Sequence, residues 1–70
     1  MQTIRETFGT RMRLAMKAKG ITQEKLAKKL YCEQQAISHY VCGRRSPRIE
    51  MIVQIAEILD VSVDYLLGRD

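Results

Sequence analysis

The sequence has few of the features that mark membrane or β-rich proteins. No apolar run among its 70 residues approaches the ~18 residues that a membrane-spanning helix needs. Alternating apolar and polar runs are absent, as are Asn-Gly and Asp-Gly pairs, so the usual signals of strands and hairpins are missing. The first residues also lack the pattern of a signal peptide. We therefore expect a cytoplasmic protein with no membrane partner.

Cysteine and histidine are scarce, which argues against a disulfide framework, a metal site and nucleophilic catalysis. Cys32 and Cys42 are the two cysteines, and His39 is the single histidine. The two cysteines would be roughly 15 Å apart if one helix joined them, which is too far for a disulfide bond. Their spacing with His39 matches no zinc motif. We predict reduced cysteines, no metal, no other cofactor and no enzymatic activity.

The length of the chain and its charge distribution further limit the classes of function that fit it. A chain of 70 residues has no room for a second domain or a deep active-site cleft, because it buries only about 60% of its unfolded surface. Residues 1–48 carry 11 basic and 3 acidic side chains, whereas residues 49–70 carry 1 basic and 5 acidic side chains. This asymmetry indicates a nucleic acid or another anionic surface as a partner.

Apolar spacing of three and four residues predicts helices throughout, and capping residues mark five of them. Thr3 and Glu6 form a capping box at the first helix, and Gly20 ends it. The other helices are expected from Thr22 to about Leu30–Tyr31, from about Gln34 to Val41, from Ser46-Pro47 onwards, and from Ser62 to Leu67. Short loops join them, so we predict an all-α fold in which residues 1–70 form a single domain.

Two of these helices carry an apolar stripe that is typical of a helix packed on a core. In the first helix the stripe consists of Phe8, Met12, Ala15 and Met16. In the fourth helix it consists of Ile49, Ile52, Ile55, Ala56 and Leu59. We expect both helices to bury these side chains in a common core.

The third helix divides into an apolar and a polar face when its residues are placed at roughly 100° intervals. The apolar face holds Ala36, Ile37, Tyr40 and Val41, and the polar face holds Gln34, Gln35, Ser38, His39 and Cys42. Glutamine and serine hydrogen-bond base edges in the major groove, which would make the polar face a base-reading surface. The alternative is a solvated face that carries no charge.

The middle of the chain contains three segments in a recognisable order: Thr22–Leu30, Gln34–Tyr40 and Gly43–Pro47. Together with Val61–Gly68, they resemble the helix-turn-helix domain of the lambda-repressor/Cro-like (Xre-type) transcriptional regulators. The resemblance covers about residues 5–68. It implies a five-helix DNA-binding domain whose second helix lies across the DNA backbone and whose third helix enters the major groove.

The resemblance also implies roles for residues of the second and third helices. Gln34, Gln35 and His39 match base-reading positions, and Ser38 is expected to assist them. Gln23, at the start of the second helix, matches a position that contacts phosphate, where helix N–H groups favour an anion.

Arginines supply the remaining candidate phosphate contacts. Arg44, Arg45 and Arg48 follow the third helix, where the family contacts the DNA backbone; the alternative is an ordinary basic loop. Arg11 and Arg13 are weaker candidates, with solvated surface side chains as an equal alternative.

The turn between the second and third helices departs from the family pattern. Tyr31 stands where the family commonly has glycine, and a positive φ would cost tyrosine about 1 kcal/mol, so we expect a turn of another shape. Cys32 suits the next, buried position as a small hydrophobe. Glu33 replaces the usual Ser or Thr cap; a carboxylate suits the helix dipole but repels phosphate unless it accepts a hydrogen bond from cytosine.

A second departure concerns Met16 and Val41, which stand where many family members carry a partly buried Arg–Glu ion pair. Losing one partner would leave an unpaired buried charge at a cost of about 3–5 kcal/mol, whereas replacing both by apolar residues can be neutral. We therefore predict that the two side chains are in contact.

Family members usually bind two half-sites as symmetric dimers, so we expect a homodimer with an apolar contact patch. The candidates are Met51, Ile58, Val61 and Tyr65, together with Val63. The alternative is that the fifth helix covers them or that they are scattered surface side chains.

The leading interpretation is a sequence-specific regulator, most simply a repressor, that binds a double-stranded DNA operator. A restriction–modification controller and an antitoxin on the same fold are alternatives. A protein-interaction module that has lost DNA binding is another, because fold does not determine function. No small-molecule site is evident in the sequence.

Overall fold

The computed structural model describes residues 2–69, and five α-helices account for most of them. The helices are α1 (Ile4–Lys19), α2 (Gln23–Lys29), α3 (Gln34–Val41), α4 (Ile49–Leu59) and α5 (Val63–Leu67). No strand is present in this range. The prediction of an all-α fold with five helices is confirmed.

Side-chain caps begin three of the helices where the sequence predicts them. At α1 the Thr3 hydroxyl accepts a hydrogen bond from the Glu6 N–H at 3.2 Å, and the Glu6 carboxylate accepts one from the Thr3 N–H at 2.8 Å. The hydroxyls of Thr22 and Ser62 accept from the N–H three residues further on, at 3.1 and 2.9 Å. These bonds satisfy N–H groups that have no partner within a helix.

The predicted start of α4 is wrong. The Ser46-Pro47 pattern predicts a cap and a first helical residue, but α4 begins at Ile49, after Arg48, whose side chain makes no capping hydrogen bond. Pro47 is instead buried in the connection before the helix. The Ser-Pro signal is only a local preference, and burial of the proline ring against the rest of the fold overrides it.

The apolar sides of all five helices meet in one core. α1 packs against α3, α4 and α5, while α2 packs on α3, and α4 on α5. The largest fully buried side chains come one from each helix: Met12, Leu26, Ile37, Ile55 and Leu66. The stripe predicted for α1 is buried along its whole length.

One residue of the stripe predicted for α4 does not reach the core. Ile55, Ala56 and Leu59 are buried and Ile52 is half-buried, but Ile49 is 77% exposed. Helical side chains point back towards the helix N-terminus, so the side chain of the first residue projects past the end of the stripe. The apolar pattern does not reveal this end effect.

Met16 and Val41 are both buried and belong to the same core. Within residues 2–69 no polar or charged residue is classed as buried, so the core there holds no counterpart of the family's ion pair. Direct contact between the two side chains stays a prediction.

Candidate nucleic-acid interface

α3 turns an apolar face to the core and a polar face outwards. Ile37 and Val41 are buried, whereas Gln34 and Gln35 are exposed. Ser38 and His39 are half-buried. At about 100° per residue these four polar side chains occupy one side of the helix. The division of α3 into two faces is confirmed.

The N-terminal end of α3 carries an exposed carboxylate. Glu33 holds the N-cap position with extended backbone but makes no side-chain capping hydrogen bond. Its negative charge lies at the end of the helix where the dipole favours it. The Glu33 side chain is exposed and makes no capping hydrogen bond, so its carboxylate remains available as an acceptor at the start of the polar face.

The turn between α2 and α3 keeps the shape in which glycine is common, and the expectation of another shape is wrong. Tyr31 has a φ of 55° and a side chain that is 95% exposed. Leu30 before it is buried, and the Cys32 N–H after it donates to the Ala27 carbonyl at 3.0 Å. These contacts hold the turn closed, so Tyr31 bears a conformational cost of about 1 kcal/mol.

The two cysteines have different environments. Cys32 is half-buried and packs against the core, as expected for a small hydrophobe. Burial raises the pKa of the Cys32 thiol, and the neighbouring Glu33 charge acts in the same direction. Cys42 is exposed at the C-terminal end of α3. Cys32 is therefore held as the neutral thiol, consistent with a packing role.

The candidate phosphate contacts lie at the beginning of α2 and after the end of α3. Gln23 is the first residue of α2, directly after its Thr22 cap, and is half-buried. Arg44, Arg45 and Arg48 are exposed in the connection between α3 and α4. The chain therefore presents three cations immediately after the polar face of α3.

Hydrogen bonds attach the start of this connection to α3. The Gly43 N–H donates to the Tyr40 carbonyl at 3.2 Å, and the Arg44 N–H donates to the His39 carbonyl at 3.0 Å. Gly43 has a φ of 77°, a conformation that closes a helix and that glycine adopts without strain. The last turn of α3 thus fixes where the connection that carries the arginines begins.

Arg11 holds α1 and α5 together. Its guanidinium lies over the Tyr65 ring, 4.7 Å from the ring centroid, and donates a hydrogen bond to the Tyr65 carbonyl at 3.2 Å. The side chain is half-buried. Arg11 is therefore engaged with α5, whereas Arg13 is exposed.

The apolar residues predicted as a dimer patch are half-buried. Met51, Ile58, Val61, Val63 and Tyr65 all pack against the core of their own chain. The exposed large apolar side chains of α4 are Ile49 and Val53, at 77% and 41% exposure. Sequence reasoning missed Val53, although its spacing of four residues from Ile49 places both on one side of the helix.

The described residues offer few other sites. Between residues 2 and 69, no three His, Cys, Asp or Glu side chains are placed to hold a metal ion. None of the helices described is long and apolar enough to cross a bilayer. The candidate interface combines the neutral polar side chains of α3 and the exposed arginines after it with the carboxylate of Glu33 at the start of α3.

The helix-turn-helix family model matches residues 12–66 of the chain. The chain is also 38% identical over 60 residues to YqaE of Bacillus subtilis, an uncharacterized HTH-type transcriptional regulator, with 86% of this chain and 52% of the relative covered. The chain thus spans about half the length of this relative.

Two solved structures share the arrangement of helices. The clp gene regulator ClgR from Corynebacterium glutamicum superposes with a TM-score of 0.89 at 25% identity, covering 97% of this chain and 72% of that protein. The restriction-modification controller protein C.AhdI from Aeromonas hydrophila superposes with a TM-score of 0.81 at 29% identity, covering 89% and 94%. Both similarities extend over most of the five-helix arrangement.

Proposed function

Because the chain belongs to the helix-turn-helix family, we propose that it is a sequence-specific transcription regulator that binds double-stranded DNA. The observation that carries this proposal is the outward face of α3. Exposed Gln34 and Gln35 lie on a helix without charged residues, while Arg44 and Arg45 follow its end. A helix face that is only solvated normally carries charged residues. Here the glutamine amides can bind base edges, while the arginines beside them can bind the phosphates that border those bases.

In the proposed complex α3 lies in the major groove and α2 crosses the backbone. A glutamine amide pairs with adenine through N6 and N7, and serine bonds several base edges. The proposed base contacts are Gln34, Gln35, Ser38 and His39. Gln23 contacts phosphate at the N-terminus of α2, where N–H groups and the helix dipole favour an anion. Residues 1–70 act as a single DNA-binding domain.

The simplest mode of regulation is repression in the cytoplasm, in which the bound protein blocks polymerase from a double-stranded operator. The similarity to C.AhdI supports a second candidate, a restriction–modification controller on the same fold. Both roles use the same contacts to DNA.

Selection of bound sites from a pool of random duplexes tests the proposal. We expect wild type to enrich one motif and Gln35→Ala to lose preference at one base pair, at a cost of about 1–3 kcal/mol there. Gln54→Ala removes an exposed glutamine from α4 and should leave the motif unchanged. Equal losses on enriched and random DNA would exclude Gln35 as a base reader. No enrichment by wild type would favour a protein-interaction module.

We also propose a homodimer, since two half-sites one helical turn apart are bound by paired recognition helices. The exposed Ile49 and Val53 support a contact through α4. Sedimentation over a concentration series compares Val53→Glu with Ile58→Glu. Loss of the dimer only in Val53→Glu assigns the contact to the exposed side of α4, and loss only in Ile58→Glu assigns it to the half-buried patch. A wild type that is monomeric both in solution and on the enriched duplex would contradict the dimer.

A further inference from the structure

The connection after α3 rests on the first turn of α1. A Cβ added to Gly43 would lie 3.3 Å from Glu6 Cγ and 3.4 Å from Glu6 Cα, so the two backbones lie close together. From the same turn, the Arg5 guanidinium donates a long hydrogen bond of 3.5 Å to the Arg44 carbonyl. This bond joins residues that are 39 positions apart in the sequence.

The next turn of α1 meets the end of α3 itself. A Cβ added to Gly9 would lie 2.5 Å from the Val41 carbonyl oxygen and 2.7 Å from the Tyr40 carbonyl oxygen. Arg5 and Gly9 are four residues apart and therefore lie on one side of α1. This side of α1 supports both the last turn of α3 and the connection that follows it.

We propose that Arg5 is a positioning residue, which holds the Arg44 backbone against α1 and so places Arg44 and Arg45 for contact with phosphate. The proposal rests on the DNA binding proposed above. Three exposed arginines in one short connection repel one another, and a path that only α3 defines would let them separate. A bond to the Arg44 carbonyl restrains the backbone without engaging either arginine side chain.

The capping box makes the first turn of α1 a firm anchor for Arg5. Hydrogen bonds from the backbone and side chain of Thr3 hold the pKa of Glu6 below its ordinary value, and the Arg5 charge adds to this effect. Glu6 is therefore ionised at neutral pH. Its negative charge offsets that of Arg5, so Arg5 can approach the arginines of the connection.

A double-mutant cycle separates positioning from direct contact with phosphate. Wild type and three variants are titrated with a duplex enriched from the random pool. The variants are Arg5→Met, a double variant with both Arg44→Ala and Arg45→Ala, and a triple variant that carries all three changes. Methionine keeps an apolar stem and removes the donor, so we expect Arg5→Met to weaken binding about two- to threefold, which is the lower end of one net hydrogen bond because this bond is long and exposed. In the background without the two loop arginines, Arg5→Met should have no effect.

Two further variants control for charge. Lys17→Gln removes a positive charge from the last turn of α1 and should leave the affinity almost unchanged. Arg5→Lys keeps a donor and the charge and should restore most of the binding. An Arg5→Met effect of equal size in both backgrounds would mean that Arg5 contacts DNA itself. That result, or no effect of Arg5→Met at all, would overturn the positioning role.

Amide hydrogen exchange on the free protein tests the restraint without DNA. The Arg44 N–H, bonded to the His39 carbonyl, should exchange faster in Arg5→Met, while amides inside α4 keep their rates. Unchanged exchange at Arg44 would count against the restraint. If wild type binds no DNA and Arg44 exchange still responds, the proposed function fails while the restraint on the connection stands.

Discussion

Tyr31 carries a conformational cost that no contact of its side chain offsets. Its φ of 55° lies in the left-handed region, which side chains with a Cβ rarely adopt, and its ring is almost fully exposed. Asp60 has a similar φ of 58° at the end of α4, but a short polar side chain adopts this conformation more readily. The strain of a single residue thus lies in the turn that leads into α3.

We expect Tyr31→Gly to raise the free energy of unfolding by up to about 0.5 kcal/mol, which is the ~1 kcal/mol of strain relieved less the ~0.5–1 kcal/mol of entropy that glycine loses on folding. Tyr31→Ala keeps a Cβ, so it should give no such gain and serves as the matched control. Urea denaturation of the three proteins measures the difference. Equal stability of the glycine and alanine variants would show that the positive φ is not the source of the cost.

At the scale of helices, α1 is the element around which α3, α4 and α5 are arranged. Two local features of α1 govern this arrangement. Its capping box determines where the helix begins, and Gly9 determines how closely the end of α3 approaches it. Both features lie in the N-terminal half of α1, on which the candidate interface depends.

Gly9→Ala should lower the free energy of unfolding by about 1–3 kcal/mol, because the added Cβ meets two carbonyl oxygens of the α3 backbone that cannot turn aside. The expected loss is the net value, after the ~1 kcal/mol that alanine gains over glycine inside a helix. Thr10→Ala, at the exposed position next to Gly9, is the control and should not show this loss. Thermal unfolding measures both, and a Gly9→Ala variant as stable as wild type would contradict the close approach.

The capping box also makes stability depend on pH. Because the pKa of Glu6 is lowered in the folded state, its ionised form favours folding. This contribution is complete above the pKa of the unfolded chain and is lost as the pH falls through the folded pKa. Glu6→Gln should therefore be less stable than wild type at neutral pH and converge with it in acid. A difference that stays constant with pH in urea denaturation would contradict this.

At the scale of the whole molecule, charge is separated along the order of the helices. The segment from α1 to the connection after α3 is strongly basic, whereas α4, α5 and their flanks are acidic. A polyanion is therefore attracted to the first part and repelled by the second. The apolar residues of α4 lie in the acidic part, where a second chain could meet them without competing with phosphate.

Binding to DNA should weaken as salt rises, because each phosphate contact releases counterions. We expect Arg44→Ala and Arg45→Ala each to reduce the slope of log affinity against log salt by about one unit. Arg69→Ala removes an exposed arginine that follows α5 and should leave the slope unchanged. Titrations at several salt concentrations measure the slopes. An affinity that does not depend on salt would contradict the phosphate contacts.

The sequence alone determined the fold class, the starts of α1, α2 and α5, and the two faces of α3. The cap residues Thr3, Thr22 and Ser62 act on N–H groups three residues away, and helical periodicity repeats within two turns. Such signals are complete within a short segment, so they can be recognised without knowledge of the rest of the chain.

Only the tertiary structure decided the features that depend on distant segments. Arg11 lies against Tyr65, Arg5 reaches the Arg44 carbonyl, and burial of Leu30 in the core helps to hold Tyr31 at a positive φ. Each of these features depends on where another part of the chain packs. The segments involved carry no periodic or capping pattern that would predict the contact. The physical reason is that packing joins residues far apart in sequence, whereas the signals in a sequence are local.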